Sequence, residues 1–207
     1  MTKQGNLPSM DRLMELQQLI ADFADIKRMV PIMDKQRSEN DVEHSYGLAL
    51  TCWFLAPKIA PTLALTKILK YALAHDIVEI HSGDVFAFDK KKVHTKDAQE
   101  DRALNKLGRE WADFPELVDA ARTYKNKSDA EARFVYAVDK ILPAIMTKIG
   151  VDEKFWTKHK ITREMHETEK RTKMSHSPEV LPYVDLINEW MLNPDRFYKP
   201  SRAGQQM

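Results

Sequence analysis

The dipeptide His75-Asp76 stands inside KILKYALAHDIVEIHSGD, a stretch otherwise patterned as an apolar helix. Two more segments of that kind carry a metal-capable side chain, His44 in VEHSYGLAL and Asp139 in YAVDKILP. Two imidazoles and two carboxylates on faces that pattern as buried are unfavourable unless something compensates them. A buried ion-pair network would do so only through several coincidences of residue type and spacing. A divalent cation is the simplest compensation, so the fold has to bring these segments to one point.

The surrounding pattern predicts an all-α, single-domain helical bundle. Leu13, Leu16, Ile20 and Phe23 recur at helical spacing and predict a helix over Met10–Met29, with Ser9 or Asp11 at its start. Pro31 marks a break, and Ile32–Asn40 reads as a loop carrying Arg37. Further helices are expected over Asp41–Leu55, ending at Pro57, and over Thr62–Ile80, stopped by Gly83. Asp84–Thr95 reads as an irregular, solvent-facing loop. Helices then follow at Asp97–Ala112, Pro115–Tyr124, Ala130–Ile149 with a kink at Pro143, Ile161–Met174 and Pro178–Leu192. The tail Asn193–Met207 reads as loosely held. No segment alternates with period two, and glycine is scarce, six in 207 residues, which disfavours a strand-and-turn architecture.

Composition narrows the function classes. Lys plus Arg number 32 against 31 Asp plus Glu, so charge gives no case for nucleic acid. No apolar run nears the roughly 18 residues that span a bilayer, so no membrane association is expected. The first twenty residues carry Asp11, Arg12 and Glu15, unlike a signal peptide. Cys52 is the single cysteine, which removes any intrachain disulfide or CxxC site and fits a cytoplasmic setting. It reads as a small buried apolar residue. His94, His159, His166 and His176 have no partners at matching spacing and read as ordinary hydrogen-bonded histidines. The four tryptophans, Trp53, Trp111, Trp156 and Trp190, read as core or interface.

Adjacent helical residues point about 100° apart, so His75 and Asp76 can share an ion only near a helix end. Two neutral imidazoles and two carboxylates suit Mn, Co, Mg, Zn, Ni or Fe without choosing among them. Such an ion can supply the acidified water that a hydrolase needs. Glu79 lies three residues after Asp76 and four after His75, on their face of the helix, placed to accept or donate a proton. Asp84, after Gly83, can assist. Arg28 and Arg37 flank the loop before His44 and have the fork geometry for phosphate oxygens. Lys90, Lys91 and Lys92 can contribute charge, although a solvated loop explains them as well.

The series of His44 in VEHS, His75-Asp76 in AHDIVEIHSGD and Asp139 in AVDKILP resembles the HD-domain metal-dependent phosphohydrolases. Within them it most resembles the 5′-deoxynucleotidase branch, with the pattern R…R-x-E-[SN]-x-x-E-H-S…H-D-x-x-E-x-x-x-G-D…D-K. The likeness runs from about Leu13 to Pro143, with the helices of 161–192 packing on that core. It implies one divalent metal ion on His44, His75, Asp76 and Asp139, a catalytic Glu79 with Asp84 beside it, and a phosphate-binding Arg28. Arg37 and Lys92 are candidate substrate contacts. A nucleotide substrate and a homodimer are implied, with Tyr183–Leu192 able to supply an apolar face. Two departures, Met29-Val30 after the first arginine and FAFDKKKVHTKD after the Gly-Asp pair, fall where base and sugar would be read. The same site could serve a deoxynucleoside triphosphate or guanosine tetraphosphate hydrolase, or a regulatory module without turnover.

Overall fold

The computed structural model describes residues 7–32, 37–149, 154–191 and 197–200, with the backbone alone at 90–94 and 149. Ser9 caps α1 (Met10–Asp25) by accepting from the Arg12 N–H. Asp11 sits in its first turn, at the positive end of the helix dipole. α1 stops at Asp25, short of the expected Met29. The chain continues as β1 (Lys27–Pro31), paired antiparallel with β2 (Ser38–Asn40). Val30 and Pro31 suit extended backbone better than another helical turn. The small sheet brings Arg28 to Glu39.

The capping box predicted by no periodicity argument sits at the next start. Asn40 Oδ1 accepts from the Glu43 N–H, and Glu43 accepts from the Asn40 N–H, opening α2 (Asp41–Ile59). Pro57 falls in the last turn of α2 and does not end it. The helix expected over Thr62–Ile80 is two helices, α3 (Leu65–Ala74) and α4 (Glu79–Ser82). Between them the chain tightens, with Glu79 N–H bonded to the Asp76 carbonyl at 2.8 Å. Gly83 ends α4 at φ +73°, a conformation other residues resist.

α5 (Lys90–Glu110) begins inside the expected loop, so Lys90–Lys92 belong to helical backbone and the irregular stretch ends at Asp89. α6 (Pro115–Asn126) starts on a proline and stops at Lys127, a left-handed residue at φ 52°. α7 (Ala130–Asp139) is capped by Asp129, and α8 (Leu142–Ile149) follows after a break at Lys140-Ile141. The expected kink is therefore a break, and it precedes Pro143. α9 (Phe155–Lys158) was not foreseen. α10 (Arg163–Met174) is capped by Thr162, and α11 (Tyr183–Trp190) is shorter than expected. Part of the supposedly loose tail is docked: Phe197 is buried and the Tyr198 N–H bonds to the Ile161 carbonyl at 2.9 Å. Residues 193–196 and 201–207 of the tail lie outside the described residues.

The fold is all-α apart from that two-stranded sheet. α3 forms its centre, packed on α2, α6 and α7, and Leu48, Cys52, Ile68, Leu107, Phe134, Val135 and Val138 are fully enclosed. Trp111 and Trp156 are buried, while Trp53 and Trp190 are exposed. Among the described residues no helix is long and apolar enough to cross a membrane.

His166 on α10 is buried edge-on against Trp156, ring centroids 4.8 Å apart, with Phe197 at 5.7 Å. Burial, and then the Lys170 ammonium, lower its pKa from 6.5 to about 3. A histidine held neutral when folded takes up a proton on unfolding, so it withdraws stability as pH falls below 6.5. The penalty between pH 6.5 and 5 is about 2 kcal/mol. Thermal melts at pH 7 and pH 5 should show His166→Phe losing less stability on acidification than the wild type. Equal acid sensitivity of the two proteins would refute the assignment.

Candidate metal centre

Helix ends bring the polar residues together. His44 lies in the first turn of α2, His75 caps the C-terminus of α3, Asp76 follows in the turn, and Asp139 is the last residue of α7. At an end the chain can turn a side chain out of the apolar seam without opening the bundle. His44, His75 and Asp76 each offer a ligand atom within 4.8 Å of the others. Asp139 joins through a 2.9 Å contact between its Oδ1 and His44 Nε2. All except Asp76 are almost completely buried.

Each group is oriented by a second residue. His44 Nδ1 donates to Glu39 Oε1 at 3.0 Å, and His75 Nδ1 donates to the Ala72 carbonyl at 2.9 Å. Such bonds fix the ring and its tautomer, leaving each Nε2 directed at the cluster. Asp139 Oδ2 accepts from Tyr124 Oη at 3.0 Å and from the Lys140 ammonium. Burial and then Arg28 lower the His44 pKa, but hydrogen bonds to Asp139 and Glu39 prevail and raise it to about 9.

The donor set fits a divalent ion. His75 Nε2 lies 2.8 Å from Asp76 Oδ2, yet the pair has no hydrogen-bond geometry and that nitrogen is buried without a partner. Two ligand atoms converging on a common point rather than on each other have this arrangement. Mixed nitrogen and oxygen donors accept most first-row divalent metals, and the ion's identity is open.

A cavity of about 340 Å³ opens beside the cluster. Arg28, His75, Asp76, Glu79, Asp84 and Asp139 line it, so six of the expected site residues meet there and His44 lies behind them. Arg28, on β1, reaches Asp41 at 2.9 Å and Asp76 at 2.6 Å, with Glu39 at 3.5 Å. Glu79 Oε1 is 3.7 Å from Lys96, and its Oε2 is buried without a partner. Burial and the nearby Asp76 push the Glu79 carboxyl well above the usual carboxylate range, against the pull of Lys96.

One expected contact is not made. Arg37 is exposed and its fork is committed to Glu43 at 2.8 and 2.6 Å, which ties the β2 end to the α2 cap. It does not line the cavity. The Lys92 side chain lies outside the described residues. In turn, Glu39, Asp41, Tyr124, Lys96 and Lys140 were not singled out from sequence. Glu39 stands inside the R-x-E pattern and Lys140 follows Asp139, so both were readable as neighbours of ligands. Asp41 and Tyr124 enter only through tertiary packing.

A model of the HD domain matches residues 21–181, and the chain belongs to that family. No curated protein matches it significantly. Among solved structures it is similar to a predicted metal-dependent phosphohydrolase from Magnetospirillum magnetotacticum MS-1. The TM-score is 0.75 at 24% identity, over 91% of this chain and 96% of that one. It is also similar to the PH0347 protein from Pyrococcus horikoshii OT3, with TM-score 0.60 at 23% identity, over 86% and 97% of the two chains. These likenesses concern the fold.

Glu39→Gln should keep the fold and weaken metal binding by about 10- to 100-fold, the usual effect of removing a partner that orients a ligand histidine. Titration of the metal-free protein with Mn and Co, read by calorimetry, measures it. Unchanged affinity would show that Glu39 does not orient His44 for an ion.

Proposed function

We propose that this protein is a metal-dependent phosphohydrolase of nucleotides, of the 5′-deoxynucleotidase type. It would release orthophosphate from a 5′-phosphate, with deoxyribonucleoside 5′-monophosphates as the simplest substrates. One observation carries the reading: His44, His75, Asp76 and Asp139 converge at the wall of a cavity that also holds Arg28 and Glu79. Membership of the HD domain family and the likeness to a predicted metal-dependent phosphohydrolase support it.

His44, His75, Asp76 and Asp139 would hold a divalent ion, which would supply Lewis-acid chemistry for phosphate hydrolysis. Arg28 then neutralises the remaining phosphate charge, and Asp41 holds its guanidinium in register. Glu79 Oε2, buried and unpartnered, is placed to hand a proton to the departing oxygen or take one from water. Asp84 lines the cavity after Gly83, where it raises the proton affinity of Glu79 by its own charge. Met29 and Val30 line the same cavity and belong to the edge that reads base and sugar. Arg37 has no part in this scheme. A homodimer belongs to the proposal, and the exposed strip Tyr46, Leu50, Trp53 and Phe54 on α2 supports it better than α11 does.

The decisive assay follows orthophosphate, pyrophosphate and triphosphate release from deoxyribo- and ribonucleotides with Mn, Co and Mg added separately. Orthophosphate release from 5′-monophosphates is expected. Triphosphate release without it would move the assignment to the triphosphate hydrolases, and metal binding with no hydrolysis would favour a regulatory module. Glu79→Ala should retain the ion and lower turnover by at least about 100-fold. Turnover at the wild-type level in that variant would remove Glu79 from the mechanism.

A further inference from the structure

Beyond Arg28 the cavity carries a second set of cations that the scheme above leaves without work. Lys127, Lys140, Lys170 and Lys173 all line it. They come from the cap of α6, the break after α7, and α10. Tyr136 gathers two of them, with the Lys127 ammonium 4.5 Å and the Lys140 ammonium 4.9 Å from its ring centroid. Lys140 is near enough to disfavour the charge on each of the other three, whose pKa values are lowered by burial first and then, in part, by Lys140.

Carboxylate compensation is thin at this end. Glu169 bonds Lys173 at 2.7 Å and stands 3.6 Å from Lys170, with its Oε2 otherwise unpartnered. Lys140 leans on Asp139, but Asp139 is one of the four groups that would share a dication. That leaves Glu169 as the carboxylate paired with Lys170 and Lys173, while Asp97 and Glu100 face Lys127. Lys170 is only 4% exposed and makes no hydrogen bond among the described residues. A lysine buried this way, with its nearest carboxylate at 3.6 Å, is only partly compensated and favours a further anion beside it. Lys127 adds a further constraint, because its left-handed backbone would suit glycine better.

We propose that Lys127, Lys140, Lys170 and Lys173 form a second anion subsite in this cavity, which holds a phosphate group of the substrate other than the one cleaved. A phosphate of nearly two negative charges can meet several of these ammoniums at once. Lysines, as mobile point charges, suit a group that has to be held but not attacked in line. The inference rests on the phosphohydrolase reading and narrows its substrate to a nucleotide with two or more phosphates. The second phosphate can extend the 5′ chain or sit at the other side of the sugar, since the cationic end meets the same chemistry in both.

The test compares kcat/KM of the full-length, Mn-loaded protein on dAMP, dADP, dATP and deoxyadenosine 3′,5′-bisphosphate. At least one multiply phosphorylated substrate should exceed dAMP by about tenfold or more, the worth of one charge-assisted contact. A preference for dADP or dATP identifies the chain, and a preference for the bisphosphate identifies the sugar. In Lys170→Met with Lys173→Met that ratio should collapse towards one. Lys173→Gln alone, at a partly exposed site, should reduce it with little risk to folding. Tripolyphosphate binding to the metal-free protein, read by calorimetry, gives an activity-independent measure, and the double variant should bind about tenfold more weakly. A dAMP preference, or loss of all substrates in equal proportion, overturns the subsite. If no nucleotide is hydrolysed while tripolyphosphate still binds through these lysines, the phosphohydrolase reading fails and the subsite stands.

Discussion

Asp139 is the junction on which the rest of the centre depends. One carboxylate oxygen meets His44, the other meets Tyr124 and Lys140, and the residue itself is enclosed at the end of α7. Three helices, α2, α6 and α7, are therefore fastened at a single charged group that water hardly reaches. An arrangement of this kind is favourable only while every partner is present, because a buried carboxylate with an unmatched neighbour is costlier than none. The helices that carry it, α2, α6 and α7, all pack on α3, whose Ile68 and Ala72 are fully buried.

Helix termini are the second organising device. His75, Asp139 and Gly83 all stand where a helix stops, and His44 stands where one starts. A residue in the middle of a packed helix projects along a direction fixed by its neighbours, whereas a terminal one has freedom that the next segment then fixes. The breaks at 75–78 and at Lys140-Ile141 thus serve the site, although each shortens a helix that could otherwise have run on.

The helical class, the capped starts at Ser9 and the polar cluster were legible in the sequence because they rest on local periodicity and on residue types that stand out in apolar surroundings. What was not legible depends on distant parts of the chain. Nothing local announces that residues after Asp25 turn into an edge strand, since that strand is stabilised by pairing with Ser38–Asn40. Arg37 was assigned to the substrate by its proximity to His44, but a carboxylate six residues on is a nearer partner than any phosphate. The lysines of α10 carried no signal either. They read as one charged face among several until α10 packed on α7 and pointed them inward.

The pairing of β1 with β2 has one further consequence. Lys27 aligns with Asn40 and Pro31 with Ser38, so three residues of β1 span the distance that Glu39 alone spans on its partner. The surplus is an irregularity containing Arg28, Met29 and Val30, all of which line the cavity from this side. A bulge of this kind bends the strand locally and re-aims its side chains before pairing resumes. The irregularity therefore sets the direction of Arg28 together with that of the two apolar residues after it, so the charge and the apolar wall on this side of the cavity are placed by one local break in the pairing.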